Sequence, residues 1–466
     1  MKDYNIFASP LTFLSILDIQ MEEKIGEHGR LVIEGCIEDE KEEEFLSLLK
    51  GDIWEKVEKI GKDGEREILF WGVVTNFSIS SQHHEKRMSL EVTSGSCLMD
   101  RENHIRSYQD KEQTYRQIFD SIIAGYPESS IKFNGPLEEG AGQLVLQYFE
   151  TDWQFLQRLA SRKGQYISAC PREKGIKIAY WLPKGQKIER KENQKYTIQK
   201  ELDVYQQKKC NGLPSLKEDS SLVYIMECRE NHCLGDYTSV WGITFYIYRI
   251  ESRYSGGEML HNCFFKPAEG MGVLRIQNGK IAGNSLKAIV KAVKEDKVQI
   301  EILEDENKQQ DINIWYPYAT VYSTPDGTGW YCMPEQGDAV RLTFPGREEG
   351  EAFVSSSVHM ETDSTDRKNP DIKTLKSKYQ KEVRFTPESI IITNNQGTRI
   401  ELTDAEGIRM VSAHSVMFEA AEDMTVSSGT GSLVIAGASS VSLKQGGTGI
   451  NLDKGISFIG GELRVQ

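Results

Sequence analysis

The stretch RIELTDAEGIRMVSAHSVMFEAAE, Arg399–Glu422, divides into three blocks of eight residues. The second position of the blocks reads Ile400, Ile408, Val416, and the fourth reads Leu402, Met410, Phe418. The seventh reads Ala405, Ala413, Ala421. Apolar residues two apart lie on one face of a strand, because side chains alternate with a period of two. That period, with the serine, threonine and glycine content, excludes a helix. Each block therefore predicts a strand of about five residues and a turn of about three. The small residue marks a corner where a Cβ would clash. Five more blocks follow, DMTVSSGT, GSLVIAGA, SSVSLKQG, GTGINLDK and GISFIGGE. The small column runs through Gly429 and Gly437, breaks at Gln445 and Asp453, and returns at Gly461. The apolar columns hold through Met424 and Val426, shift by one residue at Leu433/Ile435 and Val441/Leu443, and shift back at Ile450.

A hairpin array would reverse direction at each block, whereas a solenoid turns the same way each time and stacks its strands. Eight residues is too few for a complete solenoid coil, which needs roughly 20. It suits one face of a three-sided prism. If three chains wrap together, each supplies one face per step and the inward columns meet on a common axis. The expected core of this trimer is Ile400, Leu402, Ile408, Met410, Val416, Phe418, Met424 and Val426. No such core exists in one chain, so folding and assembly of a homotrimer become one event. At roughly 4.8 Å per strand, about nine octads give a needle of roughly 40–45 Å, closed against free sheet edges.

The rest of the chain fits around this needle. Its 466 residues are too many for one ordinary core and suggest about three domains. Hydrophobic residues make up 38% and charged residues 27%, which suits a folded soluble protein. A formal charge of −14 makes it a poor electrostatic partner for nucleic acid or anionic lipid. The opening MKDYNIFASP lacks the basic and apolar regions of a signal peptide, and no apolar run is long enough to span a bilayer. Assembly in the cytoplasm is expected, with any exit made by a machine. The acidic run EDEKEEE, Glu38–Glu44, reads as solvated surface.

Eight cysteines at this length make no disulfide scaffold. The local cluster Cys228, His232, Cys233, His261 and Cys263 carries the spacing CRENHC, which matches no zinc pattern. It is read as buried thiols and surface histidines, with no metal. No glycine-rich phosphate loop, nucleophile elbow or zincin helix is present, so neither catalytic residues nor a cofactor are expected.

Along the N-terminal part, Ile68–Ile79 is an apolar strand with a glycine bend, and MSLEVTSGS is its partner. Tyr115, Ile118, Phe119, Ile122 and Ile123 fall at helical spacing, closed by Gly-Tyr-Pro. LVLQYFETDWQFLQRLASRKGQYI predicts strand, turn, helix and strand. Thr151 or Asp152 caps that helix, Trp153, Phe155, Leu156 and Leu159 are its buried face, and Gly164 ends it. From about Asn278, five short strands predict a small barrel of the oligosaccharide/oligonucleotide-binding (OB) type. The acid-rich EILEDENKQQD and REEGE segments argue against nucleic-acid binding by it. Glu361–Gln380 is polar without an apolar period and reads as a linker, too short for an inserted enzymatic domain.

In this order the segments resemble the spike proteins of contractile injection machines, the valine-glycine repeat protein G (VgrG) family of type VI secretion and the hub–spike proteins of contractile phage tails. FWGVVTNFSI resembles the family's hub strand. QYFETDWQFLQRLASRKGQYI resembles its stretch in which Glu-Thr-Asp precedes a helix. WYCMPEQGDAVRLTF resembles its OB segment, with Pro334, Gly337 and Asp338 in matching places. The expected fold is mainly β with an α+β hub. It comprises a hub of two barrel-like domains with short helices (1–270), an OB barrel (271–362), a linker (363–382) and a trimeric β-helical spike (383–466).

The resemblance implies a non-enzymatic puncturing device at the tip of such a machine. Its hub would dock on a hexameric inner-tube protein among baseplate proteins. Its needle would carry a conical, PAAR-like tip protein, with effector cargo carried on other proteins. The particle would be ejected into a target or released outside the cell. Phe458, Ile459, Leu463 and Val465, in the last block, are the expected tip-docking residues. Two other classes stay open at this point: a receptor-binding trimeric tail fibre, and a cell-wall hydrolase with its site in the hub.

Overall fold

The apolar run at Ile68–Ile79 lies inside a 17-residue strand, Arg66–Gln82. The computed structural model describes residues 4–82, 85–189, 194–214, 216–308, 311–359 and 367–459. The strand pairs antiparallel with Glu85–Ser94, and its register shifts between Val74 and Asn76, just past Gly72. A Cβ at Gly72 would stand 2.3 Å from the Thr93 carbonyl oxygen, so only glycine lets the two strands close.

The chain divides into two units, 1–360 and 361–466. In the first, an eleven-stranded sheet runs in the order Tyr4–Ser9, Trp54–Gly61, Arg66–Gln82, Glu85–Ser94, Arg30–Ile37, Ser15–Lys24, Ile243–Ser255, Glu258–Lys266, Leu222–Cys228, Tyr196–Lys200. Tyr237–Val240 pairs with Ile243–Ser255 beside this path. Two apolar cores form on the sheet, one around Ile33, Val57, Phe70 and Leu90, the other around Met226, Phe245, Ile247 and Phe265. The two barrel-like domains expected for the hub are thus two lobes of one sheet. They are joined where Ser15–Lys24 pairs with Ile243–Ser255.

The segment between the lobes builds a helical layer. Thr114 and Thr151 each cap a helix, Tyr115–Ile123 and Asp152–Ser161, with complete capping boxes through Gln117 and Gln154. Thr151, not Asp152, is the cap of the second helix. The apolar faces named from the sequence meet in one core: Ile118, Phe119, Trp153, Phe155, Leu156 and Leu159 are all buried. Part of the acidic Glu38–Glu44 run opens a further short helix, Lys41–Leu48, held down by buried Phe45.

The five short strands after Asn278 are Ser285–Lys294, Lys297–Ile302, Tyr316–Pro317, Ala339–Thr343 and Phe353–Ser355. Their order runs from Tyr316–Pro317 through Lys297–Ile302, Ser285–Lys294 and Ala339–Thr343 to Phe353–Ser355. A bridge between Tyr318 and Val354 closes the sheet on itself as a small barrel.

One buried acid in the hub has no counter-charge among the described residues. Glu55 is fully buried and accepts a hydrogen bond from the Leu11 amide at 3.1 Å, while its other oxygen finds no partner. Burial pushes its carboxyl up to about 8. The folded value lies above the ordinary 4.5, so the protonated group favours folding fully below pH 4.5, and that contribution is lost as pH rises through about 8. Glu55→Gln should flatten this dependence. We expect urea unfolding to show a variant more stable than wild type by about 2–3 kcal/mol at pH 8.5, and no more stable at pH 4.

In the second unit, five strands form an antiparallel meander: Lys373–Lys376, Glu382–Phe385, Ser389–Thr393, Arg399–Thr403, Gly407–Val411. A separate three-stranded sheet holds Val441–Gln445, Thr448–Leu452 and Ile456–Ile459. One sequence expectation is corrected here: residues 373–376, read as linker, are an edge strand. Within the single chain, Arg399–Thr403 and Gly407–Val411 pair antiparallel, because three residues, 404–406, make a tight hairpin with Gly407 at φ 82°. Residues 412–440, which hold the blocks around Val416, Phe418, Met424 and Val426, form no strand within the single chain.

Candidate assembly surfaces

The eight-residue spacing of the octad strands fixes which side chains share a face. Across the meander, Leu375, Val383, Ile392, Ile400 and Met410 are successive cross-strand partners, and so are Phe385, Ile390, Leu402 and Ile408. Both rows lie on the same side of the sheet. The opposite side carries Arg384, Glu401 and Arg409, with an Arg399–Glu401 ion pair at 3.1 Å and Arg384 on Glu382 at 2.7 Å. The sheet is therefore amphipathic, and its apolar side is uncovered: Ile408 is 72% exposed, Met410 52%, Leu402 39% and Ile392 47%.

The remaining residues named for a trimer core, Val416, Phe418, Met424 and Val426, are also exposed, Phe418 at 67%. Ile400 is half-buried. Of the residues named for tip docking, Phe458 and Ile459 lie in the last described strand and are exposed, while Leu463 and Val465 fall outside the described residues. A run of exposed apolar side chains on this scale marks a surface that something covers.

A second site, missed in the sequence, locks the helical layer to the small barrel. Arg158, on the Asp152–Ser161 helix, is among the most buried side chains of the protein. Its Nε and Nη2 each donate to Glu150 at 2.7 Å, Nη2 also donates to the Leu146 carbonyl at 2.7 Å, and Nη1 donates to Glu349 at 2.6 Å. Arg162, one turn further, donates to both Glu349 oxygens at 2.6 Å. Burial opposes the Glu349 charge, but the Arg158 and Arg162 guanidiniums overcome it and hold the carboxyl below its usual range. Asp305 takes the Ser107 amide at 2.9 Å and the Ser107 hydroxyl across the same junction.

The acids of REEGE and EILEDENKQQD were used only to argue against nucleic-acid binding, yet Glu349 and Asp305 among them are buried structural groups. The available signal was Glu150 and Arg158 eight residues apart inside one amphipathic stretch. Their third partner, 191 residues from Arg158, could not be read from spacing.

The cysteine–histidine cluster also departs from its reading as buried thiols and surface histidines. Cys228 and Cys263 are buried, with their sulfurs 3.4 Å apart. His261 is buried and bonds the Ser252 hydroxyl at 2.7 Å, and burial holds its imidazole down to about 4. His232 is half-buried, and Cys233 is exposed with its sulfur 3.3 Å from Arg172 Nη1. Among the described residues, no helix is long and apolar enough to cross a membrane.

The comparisons bear on the first unit most directly. Residues 55–175 match the family model of the phage tail baseplate hub (GPD). No curated protein matches the chain. Among solved structures, one is an Escherichia coli component of the type VI secretion system described as structurally similar to the T4 bacteriophage tail proteins gp27 and gp5. It is 15% identical with a TM-score of 0.52, over 75% of this chain and 99% of that one. The half-lidded Francisella PdpA–VgrG complex matches at TM-score 0.55 and 9% identity, over 88% of each chain. Its lidded form matches at TM-score 0.54 and 12% identity, over 88% of this chain and 80% of that one. The two-lobed sheet, the inserted helical layer and the small barrel give this chain a fold similar to that of these solved type VI secretion and VgrG structures.

Proposed function

We propose that the protein is the hub and spike of a contractile injection particle. Its first unit docks on the hexameric inner tube among baseplate proteins. Three copies of its octad segment close into a needle that pierces the target envelope. The observation that carries this reading is the uncovered apolar side of the meander, with Ile390, Ile392, Leu402, Ile408 and Met410 facing outward in the single chain. Burying one such side chain contributes about 1.5–3 kcal/mol, so three copies bringing these rows together have a large drive to assemble. The unpaired residues 412–440 support the same reading. Their backbone donors and acceptors need partners once the apolar side chains leave water, and neighbouring chains supply them. The fold shared with solved structures described as a type VI secretion component and a PdpA–VgrG complex supports this reading.

In the assembled needle the strand direction found in one chain gives way to pairing between chains. Phe458 and Ile459 then stand at the distal end, where they and the last block seat a conical tip protein. The reading assigns the protein no catalysis, so effector cargo rides on other proteins. Muramidase, amidase and nuclease assays on the purified protein should match buffer. Turnover abolished by a single carboxylate substitution would instead favour a hydrolase in the hub.

The direct test of the role is docking. Mixed with the inner-tube protein of its own particle, the purified protein should co-sediment with tube ends at three chains per tube hexamer. Binding along the tube wall, or none, contradicts the reading.

A further inference from the structure

In the second lobe of the hub, Leu222–Cys228 and Glu258–Lys266 are adjacent antiparallel strands, with Cys228 opposite His261 and Met226 opposite Cys263. Cys228 and Cys263 are therefore offset by two residues on one face, and their sulfurs stand 3.4 Å apart. A disulfide needs about 2.05 Å, a closure of roughly 1.4 Å, within the reach of side-chain rotation and a small strand adjustment. Beside Cys228 stands His232, and Asp236 Oδ2 lies 3.7 Å from His232 Nδ1. Asp236 is itself fixed by the Gln186 amide at 2.7 Å and the Cys233 amide at 2.9 Å. Cys228 also lines a surface pocket of about 330 Å³ with Lys195, Glu227, Arg229 and Leu260, while Cys263 is sealed in the core.

We propose that Cys228 is a peroxide-reactive modification site, with Cys263 as the thiol that closes on it. The Cys263 thiol and the His232 cation hold the Cys228 thiol below its ordinary range, although burial opposes this. Burial, by contrast, pushes the Cys97 and Cys170 thiols up. His232 is raised to about 9, against the effect of its own burial, by Asp236 and Cys228. The resulting thiolate–imidazolium pair is the form that reacts. The Cys228 thiolate attacks one oxygen of hydrogen peroxide, the O–O bond breaks, and the departing hydroxide takes the proton carried by His232. Cys228 is then a sulfenic acid. Cys263 attacks the Cys228 sulfur, the S–S bond forms, the S–O bond breaks, and water leaves with the Cys263 proton. Two thiols are oxidised and one peroxide is reduced to two waters. The closed bond protects Cys228 from irreversible oxidation and staples two core strands of the lobe.

The test uses the intact wild-type protein, treated with dilute hydrogen peroxide, quenched by alkylation and digested without reduction. Mass spectrometry should find the Cys228–Cys263 linked peptide forming at least roughly tenfold faster than oxidation of the exposed Cys210 and Cys332. In Cys263→Ser, dimedone should trap a sulfenic acid at Cys228. In His232→Gln, with unchanged circular dichroism, the rate should fall about tenfold. Oxidation of Cys210 or Cys332 as fast as the cluster, or no linked peptide in wild type, overturns the proposal without recourse to any variant.

Discussion

Ile408→Asp should leave a folded hub that no longer assembles. In one chain the Ile408 side chain is 72% exposed, so the aspartate meets water there and the chain loses almost nothing. In a three-chain needle the same position faces the axis, and three carboxylates come together out of water. An unpaired buried charge costs on the order of 3 kcal/mol or more, paid three times per trimer. Light scattering should report a monomer with a hub melting transition close to wild type. The control is Arg409→Asp, one residue along on the polar side of the same strand, which should keep the assembly. An Ile408→Asp protein that assembles and melts as wild type does would mean this side of the sheet is not the interior.

The second large effect belongs to the junction between helix and barrel. Arg158→Ala removes four hydrogen bonds and leaves Glu150 and Glu349 buried beside one remaining guanidinium, Arg162. Breaking a buried ion pair by deleting one partner costs about 3–5 kcal/mol. Urea unfolding of the hub should show a loss of that size. Adding Glu150→Gln should return part of it, since the second change removes a stranded charge. The same chemistry gives a pH signature. Glu349 is held below its ordinary 4.5 in the folded protein, so its contribution is present above pH 4.5 and is lost as pH falls through the lower folded value. A loss below 1 kcal/mol would demote the junction to incidental packing.

Sequence patterns carried the local structure well. The helix faces at Tyr115–Ile123 and Asp152–Ser161 follow directly from apolar spacing and capping residues, because both are set within a few turns of chain. The glycine in FWGVVTNFSI is likewise a local steric requirement. The octad columns located the apolar side of the meander, since pairing Ile400 with Met410 and Leu402 with Ile408 keeps both columns on one face. They did not fix strand direction. A period of eight with alternating side chains fits a hairpin and a prism equally, and the choice depends on whether neighbouring strands come from the same chain.

Long-range chemistry was the part that could not be read. Glu349 could not be singled out among the acids of REEGE because its partners, Arg158 and Arg162, are nearly two hundred residues away. Cys228 and Cys263 approach only because two strands 35 residues apart happen to be neighbours in the sheet. That one continuous sheet carries both hub lobes was beyond reach for a related reason. The strand at Ser15–Lys24 finds its partner at Ile243–Ser255, across the whole inserted helical layer.

The account stands on the uncovered apolar face having copies of the same chain as its cover. The native mass of the intact protein, by light scattering at micromolar concentration, tests this most directly. Three chains of 52.9 kDa predict a single species of about 160 kDa that does not dissociate on dilution. A species of one chain's mass, with the octad segment still folded, would contradict it.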